Sequence, residues 1–389
     1  MRLAEVELVY AAYYYKTDLP GDFELAKGTA LTFLEYFYDR IDLEDKSEVT
    51  ASVINCYIYA LGDTWGVYRL PSEFENYETD MSGSFVGIGV EIELNNISGE
   101  MKITHVIENS GAEKAGLLAG DLIVAVDGAD TASLGIDKTT AKIRGESGTT
   151  VVISVLRDTE RLDITVTRGL VVEESVKYSI DEEKIAYIEV KRFKGNTAEQ
   201  FAEALAKAKS DGARGIIFDL RGNPGGYLNA VLSSLDLFVP SGTTLATYFD
   251  KTSGKVVLQS SSEDSLDIPV AVICNGNTAS AGELFTAAVR DFKNSGLISA
   301  VTVGTKTYGK GVMQTSYTFP DGAALNFTFA YYNPPSDVNY DGVGVMVIPS
   351  EGEEPTTVVK HLVVLNEGSD DNQLSAAIAE IAELKNKQS

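Results

Sequence analysis

The chain has 389 residues, of which 44% are hydrophobic and 23% charged, proportions typical of a soluble globular protein with more than one domain. Lysine and arginine number 32 against 57 aspartate and glutamate, which gives a formal net charge of −25. A surface this acidic repels phosphate backbones and no basic stripe offsets it, so we expect no nucleic acid partner.

Histidine and cysteine are scarce, which limits the chemistry open to the chain. There are two histidines, His105 and His361, and two cysteines, Cys56 and Cys274, which lie in separate apolar runs. Zinc sites are built from clusters of these residue types. We therefore expect no metal site, and a nucleophilic serine would have no well-supported histidine base.

Residues 1–80 carry apolar residues at helical spacing and are rich in tyrosine and phenylalanine. The pattern predicts a helical N-terminal region, which we expect to pack against the rest of the chain or to pair subunits in a homodimer. Glu5 and Glu7 interrupt its first apolar stretch, so the uninterrupted core of a signal peptide is missing. We expect either a cytoplasmic protein or a chain from which a signal or anchor was removed.

Short alternating strands follow, broken by glycines, and the run SGAEKAGLLAGDLIVAVDG resembles the short helix and following strand of PDZ domains. We predict a PDZ-like β-sandwich over residues 81–170. A glycine-containing loop before an exposed strand edge presents backbone N–H groups that bind a peptide carboxylate. The predicted peptide-binding residues in this loop, which starts at Ser84, are Phe85, Val86, Gly87, Ile88 and Gly89. The alternative is a small sandwich without a ligand.

From residue 171 onward, apolar strands alternate with amphipathic helices, which predicts an α/β core over residues 171–366 and a final charged helix over 367–389. Three glycine-marked junctions in this core each follow a predicted strand, where open α/β sheets expose reactive groups. They contain Asn223-Pro224-Gly225-Gly226, Thr278 to Glu283, and Gly304 to Gly311.

The first two junctions each have a simple structural interpretation. Gly225 and Gly226 are typical of a tight turn, and the same turn also aims N–H groups outward as in an oxyanion hole. Ser280 and Glu283 form a capping box, and a serine at a helix N-terminus also lies where negative charge is stabilised.

Two patterns only approach a ligand-binding motif. Gly304 to Lys310 has the spacing of a phosphate-binding loop, but Gly311 stands where a magnesium-binding hydroxyl is needed. The segment from Asp337 to Gly342 begins like a calcium loop, but Ile348 replaces its final carboxylate. We expect neither nucleotide nor calcium binding, and we predict a turn at the second segment.

With histidine scarce, lysine is the remaining candidate base for a serine nucleophile. A lysine in an apolar pocket loses ammonium hydration, so its pKa falls and the neutral amine can accept a proton. Lys310, between two glycines, suits such a place, whereas we expect Lys306 in the same loop to point to solvent.

The three junctions and the PDZ-like segment together resemble the carboxyl-terminal processing proteases, serine peptidases with a Ser-Lys centre. The motifs are NTASAGE, TYGKGVMQ and DLRGNPGG, and the resemblance covers about residues 83–344. It implies that Ser280 is the nucleophile, Lys310 the general base and Gln314 the residue that positions the lysine. It also implies an oxyanion hole formed by Ala281 with Gly225 or Gly226, and the residues leave the choice of glycine open.

The resemblance implies a multi-domain α/β fold, with a crotonase-like protease core, an inserted PDZ-like β-sandwich and a helical N-terminal region. It implies an endopeptidase that needs no cofactor, acts on proteins or peptides with accessible C-terminal tails, and works outside the cytoplasm. Arg168 is a candidate residue for coupling the PDZ-like domain to the core, although we favour a solvated arginine. Two departures stand out: a longer interval between Ser280 and Lys310, and no Pro-Asp pair in the segment GVGVMVIPSEGEEP.

Two other classes of protein remain open at this stage. One is a catalytically silent scaffold, in which the PDZ-like groove captures tails and the core does no chemistry. The presence of serine, lysine and glutamine together argues against it. The other is a crotonase-like acyl enzyme, which would bind acyl-CoA.

Overall fold

The computed structural model describes residues 2–14, 23–37, 41, 44–95, 98–263, 265–345 and 371–388. The chain divides into two compact units, one of residues 82–174 and the other of residues 1–81 together with 175–389. The predicted N-terminal region and C-terminal helix therefore belong to the same unit as the α/β core. His361, Ile348 and most of the segment without the Pro-Asp pair lie outside the described residues.

The N-terminal segment is helical, as predicted, and contributes one short strand. Its elements are α1 (Arg2–Tyr13), α2 (Phe23–Phe37), α3 (Lys46–Ala60), β1 (Val67–Arg69) and α4 (Pro71–Ser82). Asp45 caps α3 by accepting a hydrogen bond from the Ser47 N–H at 2.8 Å. Several of its aromatic residues serve packing, since Tyr10, Tyr14 and Tyr57 are almost completely buried in one apolar cluster.

Residues 82–174 form the sandwich. Its elements are β2 (Ser84–Gly87), β3 (Val90–Leu94), β4 (Met101–Val106), α5 (Gly111–Ala115), β5 (Leu122–Val126), β6 (Ala129–Asp130), α6 (Thr131–Ile143), β7 (Thr150–Arg157), β8 (Glu160–Thr167) and β9 (Gly169–Val172). The main sheet has the order β3-β4-β5-β7-β8, with β6 beside β5, and β2 pairs separately with β9. Strand β3 is thus an edge strand of its sheet.

Two local expectations for this unit were wrong. Ser84–Gly87 is a strand that pairs with β9 and is not a loop, so of the predicted loop only Ile88 and Gly89 lie outside strands, in the connection to β3. Arg168 is not solvated, because its guanidinium donates hydrogen bonds of 2.8 Å to the Ile143 carbonyl and 2.7 Å to the Thr150 carbonyl within the same unit. The last carbonyls of a helix have no partner within the helix, and a buried arginine satisfies the one at the end of α6.

The larger unit contains the remaining elements. They are β10 (Val176–Ile180), β11 (Ile185–Val190), α7 (Thr197–Ser210), β12 (Gly215–Asp219), α8 (Leu228–Asp236), β13 (Thr244–Asp250), β14 (Gly254–Gln259), β15 (Val270–Cys274), α9 (Ala281–Asn294), β16 (Ala300–Gly304), β17 (Val312–Thr318), β18 (Ala324–Asn333) and α10 (Asn372–Gln388). One sheet has the order β10-β11-β12-β15-β16 and is parallel from β11 onward. The other is antiparallel, β1-β18-β13-β14, with β17 beside β18.

The parallel sheet is covered on both faces, which explains why β12 and β15 are buried throughout. On one face a phenylalanine cluster joins the sheet to α7, α8 and α9, with the Phe218 and Phe285 rings 5.6 Å apart. On the other face α10 packs Ile381 against Ile217 and Ala271. The predicted multi-domain α/β fold with an inserted PDZ-like sandwich is confirmed.

The sheet order brings the three glycine-marked junctions to one edge. Strands β12, β15 and β16 are parallel neighbours, so their carboxyl ends meet there, and each junction follows one of them. Within the described ranges, no helix combines the length and apolarity needed to cross a bilayer.

Replacement of Phe285 by alanine tests the phenylalanine cluster. The side chain is fully buried, so we expect the free energy of unfolding in urea to fall by about 3–5 kcal/mol. Val257→Ala, at a position that is 49% exposed, is the control and should change it by less than about 0.5 kcal/mol. Equal effects of the two substitutions would contradict this packing.

Candidate active site

Short hydrogen bonds join the first two junctions. The Thr278 hydroxyl donates to the Leu220 carbonyl at 2.7 Å, and the Ala279 N–H donates to the Asn223 carbonyl at 2.9 Å. Gly225 consequently lies against the start of α9, where a Cβ atom would come within 2.7 Å of the Ser280 Cβ. Glycine is needed at this position because the two chain segments approach so closely.

Ser280 is the residue that precedes α9, and its backbone is strained. Its φ of 54° and ψ of −120° are rare for a residue with a side chain. The side-chain Oγ lies 3.3 Å from the hydroxyl of Tyr332, which itself lies 3.3 Å from the Lys310 carbonyl oxygen. Strain of this kind is found where the surrounding structure fixes a functional side chain.

Glu283 joins the second junction to the third. Its side chain is fully buried and accepts four hydrogen bonds. One oxygen, Oε2, accepts from the N–H groups of Ser280 at 2.9 Å and Lys310 at 2.7 Å. The other, Oε1, accepts from the Gly309 N–H at 2.7 Å and from the Thr307 hydroxyl at 2.6 Å. A single carboxylate therefore fixes the backbone of both the serine and the lysine.

The Lys310 side chain is half-buried between β17 and the loop that joins α3 to β1. Its Nζ donates to Gln314 Oε1 at 2.8 Å and lies 4.4 Å from the centre of the Trp65 ring. Burial lowers the pKa of the amine to about 8, against the opposing effect of nearby carboxylates, of which Asp63 is the strongest. Lys306, by contrast, is exposed, as expected.

The loop around Lys310 is braced by the segment that begins like a calcium loop. Asp341 accepts from the Gly311 N–H at 3.0 Å, and Asn339 donates to the Gly311 carbonyl at 3.2 Å. A Cβ atom on Gly311 would lie only 2.8 Å from the Asp341 nitrogen. Glycine at 311 thus serves close packing. In the part of the chain that the structure describes, no three histidine, cysteine, aspartate or glutamate side chains are grouped as a metal site would need.

The first junction contains one engaged and one free N–H group. The Gly225 N–H donates to Asn223 Oδ1 at 2.8 Å, whereas the N–H groups of Gly226 and Ala281 make no hydrogen bond to any described residue. Backbone donors of this kind, held at a helix N-terminus, stabilise developing negative charge.

Six of the sequence-predicted site residues therefore lie in one place, on the three adjacent junctions and β17. They are Ser280, Lys310, Gln314, Gly225, Gly226 and Ala281. Among described residues no hydrogen bond joins Ser280 Oγ to Lys310 Nζ, since the lysine bonds to Gln314 and the serine to Tyr332.

The five predicted peptide-binding residues belong to the other unit. Phe85, Val86 and Gly87 lie on β2, and the carbonyls of Ile88 and Gly89 accept from the N–H groups of Ala112 and Ile107. The N-terminal end of the edge strand β3 follows directly, and the Arg144 guanidinium lies 5.5 Å from the Phe85 ring centre.

Sequence reasoning missed Asp63, Trp65 and Tyr332, and it interpreted Glu283 only as a helix cap. Trp65 is the single tryptophan of the chain, which is the one compositional signal that pointed to its loop. No local pattern links Asp63 to Lys310, because more than two hundred residues separate them. None links Tyr332 to Lys310 either, because their hydrogen bond uses the lysine's backbone carbonyl.

Two family models match the chain. Residues 184–347 match Peptidase family S41, and residues 86–167 match a PDZ domain. A solved structure described as photosystem II D1 C-terminal processing protease superposes with a TM-score of 0.50 at 23% identity, over 89% of this chain and 91% of that one. That likeness supports the fold.

Relatives from staphylococci are described as probable CtpA-like serine proteases. The protein of Staphylococcus haemolyticus is 31% identical over 319 residues, which cover 80% of this chain and 63% of that protein. The protein of Staphylococcus saprophyticus is 30% identical over 314 residues, or 80% and 61% of the two chains. The chain thus spans slightly less than two thirds of the length of the relatives it matches.

Substitution of Glu283 by glutamine tests the carboxylate that joins the junctions. Each oxygen faces a backbone N–H, so an amide NH₂ must meet a donor wherever it points. We expect the free energy of unfolding in urea to fall by about 2–3 kcal/mol. Glu203→Gln, on the exposed face of α7, is the matched control and should have no measurable effect. Full stability of the Glu283 variant would contradict the assigned bonds.

Proposed function

Because the chain belongs to peptidase family S41 through residues 184–347 and carries a PDZ domain at residues 86–167, we propose that it is a serine endopeptidase that cleaves proteins near their C-termini. The observation that carries the proposal is the attachment of both Ser280 and Lys310 to the buried carboxylate of Glu283. This attachment holds a hydroxyl and a partly desolvated amine at the same edge of the sheet.

Ser280 is the proposed nucleophile. Its hydroxyl lies at the N-terminus of α9, on a backbone whose strain is sustained by the surrounding hydrogen bonds. The helix dipole and the neighbouring N–H groups favour the negative charge that forms when the hydroxyl attacks a carbonyl.

Lys310 is the proposed general base. A pKa of about 8 leaves an appreciable fraction of neutral amine near neutral pH, which an ordinary lysine lacks. Gln314 fixes the amine by accepting a hydrogen bond from it at 2.8 Å. For proton transfer, the Ser280 side chain rotates about its Cα–Cβ bond from Tyr332 toward Lys310 when substrate enters, and the hydroxyl then donates to the amine.

The proposed oxyanion hole consists of the N–H groups of Gly226 and Ala281. The Gly225 N–H is already engaged by Asn223, so Gly225 serves as the turn that brings the loop against Ser280. Of the two adjacent glycines, Gly225 therefore allows the close approach to Ser280 and Gly226 supplies the N–H donor.

The reaction follows from these roles. Lys310 accepts the Ser280 proton as Oγ attacks the scissile carbonyl, and the two N–H groups stabilise the oxyanion. The ammonium then donates its proton to the leaving amine, and an acyl-enzyme remains. Water, deprotonated by the same amine, attacks the ester, and collapse of the second oxyanion returns the proton to Ser280.

The PDZ domain is proposed to bind the C-terminal tail of the substrate. Strand β3 has one unpaired edge among the described strands, so a peptide can add to it as a further strand. Ile88 and Gly89 lead into this edge, where backbone N–H groups suit a terminal carboxylate. Phe85, Val86 and Gly87 lie on β2, directly before this connection.

Cleavage of casein, an unstructured protein, tests the catalytic pair. We expect Ser280→Ala and Lys310→Ala to lower kcat/KM by about 10³-fold or more, because they remove the nucleophile and the base. Lys306→Ala removes an exposed lysine of the same loop and should leave the rate unchanged. A wild-type chain that binds peptide tails but cuts nothing, even with such peptides added, would favour the scaffold alternative.

The pH dependence of kcat/KM tests the assigned base. The reactive form is the neutral amine, so the rate should rise with pH, fall about tenfold per unit well below the pKa, and level off above about 8. Measurements from about pH 6 to about pH 10 would show this limb. A rate that is flat or decreasing with pH across this range would contradict Lys310 as the base.

A further inference from the structure

We propose that Asp63 is a positioning residue for Lys310, because it sets the direction of the Gln314 amide through the Thr328 hydroxyl. Asp63 lies in the loop between α3 and β1, far in sequence from the loop of Lys310. The inference rests on the proposed function, in which the Lys310 amine is a general base that must be held in place.

The Asp63 carboxylate is a buried acceptor with a donor on every side. It is 2% exposed. Its Oδ2 accepts from the Thr328 N–H at 2.9 Å and from the Tyr10 hydroxyl at 2.9 Å. Its Oδ1 accepts from the Thr328 hydroxyl at 2.7 Å and from the Trp65 N–H at 3.2 Å. Each oxygen thus faces a backbone N–H, which can only donate.

This arrangement gives the hydrogen bonds one direction. The Thr328 hydroxyl donates its only proton to Asp63, so its oxygen is left as an acceptor. Gln314 Nε2 donates to that oxygen at 3.4 Å, which turns Oε1 of the same amide toward Lys310 Nζ at 2.8 Å. The opposite amide orientation would present an NH₂ group to an ammonium, donor against donor.

A second tie links the same carboxylate to the lysine. The Trp65 N–H bonds to Asp63, and the Trp65 ring lies 4.4 Å from Lys310 Nζ, where an aromatic face attracts a cation. The carboxylates that act on Lys310 are Asp63 from the α3–β1 loop, Asp341 from the bracing segment and Glu283 from α9. Glu283 and Asp341 bond to backbone groups of the lysine loop, whereas Asp63 bonds to Thr328 and Trp65, which lie beside the amine end of the side chain.

The hydrogen bonds from Gln314 to Thr328 and from Thr328 to Asp63 form a relay. The substitution Asp63→Asn would reverse its direction. The oxygen of the new amide would take the closer backbone donor, the Thr328 N–H at 2.9 Å. Its NH₂ would then face the Thr328 hydroxyl and, less closely, the Trp65 N–H at 3.2 Å, which lowers stability. That hydroxyl would then donate to Gln314, whose NH₂ would turn toward Lys310. Removal of the negative charge acts in the same direction, and both effects favour the neutral amine.

The single tryptophan provides a probe that does not depend on proteolysis. Trp65 is the only tryptophan in the chain, so fluorescence excited at its absorption edge reports the environment beside Lys310 Nζ. A pH titration of the full chain should show a transition as the ammonium loses its proton. Lys310→Met should abolish the transition and identifies it.

The variants separate the relay from general stability. Thr328→Val cuts the relay and leaves the Asp63 charge, and Asp63→Asn reverses it. Thr328→Ser keeps the hydroxyl and is the conservative control. Tyr10→Phe removes a different hydrogen bond to Asp63, at 2.9 Å, without touching the relay. Circular dichroism of each variant checks that it is folded, and either relay variant suffices if the other is not.

We expect Thr328→Val and Asp63→Asn to move the fluorescence transition to lower pH, because the ammonium loses its acceptor. The kcat on casein should fall on the order of tenfold with KM nearly unchanged, and the acid limb should move with the transition. Thr328→Ser and Tyr10→Phe should match wild type in both titration and pH profile.

Three results would overturn the inference: no wild-type transition, an unshifted transition in both relay variants, or an equal shift in Tyr10→Phe. A shifted transition in a chain that cleaves nothing would preserve the relay and reject the proposed protease function. Cleavage that requires Ser280 and Lys310 but is unchanged in both relay variants would support the protease function and reject the relay.

Discussion

The buried carboxylate of Glu283 is the interaction on which the candidate site depends. One oxygen of this side chain, Oε2, accepts hydrogen bonds from the N–H groups of Ser280 and Lys310, which belong to loops after two different strands of the parallel sheet. A carboxylate removed from water is costly unless donors satisfy it, and four donors do so here. Separation of the two loops would leave the carboxylate only one of its four donors, the Ser280 N–H, so the sheet, the helix and the lysine loop hold together as one structure.

The acidity of the chain and the burial of Lys310 have opposite effects on the pKa of its amine. A net charge of −25 and three nearby carboxylates favour the ammonium form of Lys310, yet burial is the largest influence and lowers the pKa of the amine. The Trp65 ring, 4.4 Å from Lys310 Nζ, contributes to this burial. In the proposed mechanism, desolvation therefore supplies the base that scarce histidine does not.

The residues of the candidate site could be predicted from the sequence more readily than the contacts that organise them. Ser280, Lys310 and Gln314 were predicted because short motifs carry them, and apolar runs predicted β12 and β15 because a sheet covered on both faces needs them. The proposed role of Asp63 could not be predicted from the sequence, because its bond to Thr328 spans 265 positions. Which of Gly225 and Gly226 has an engaged N–H depends on the orientation of the Asn223 side chain, which no motif specifies. The strand at Ser84–Gly87 is defined by a partner far along the chain.

Covalent labelling with a fluorophosphonate tests the central claim most directly, namely that Glu283 holds a serine nucleophile beside its lysine base. Peptide mass spectrometry should locate the label on Ser280, and the labelling rate should rise with pH to a plateau above about 8. The label should disappear in Lys310→Met and in Glu283→Gln. Labelling of Ser280 that proceeds equally well in both variants, or no labelling of Ser280 in the folded wild-type chain, would contradict the account.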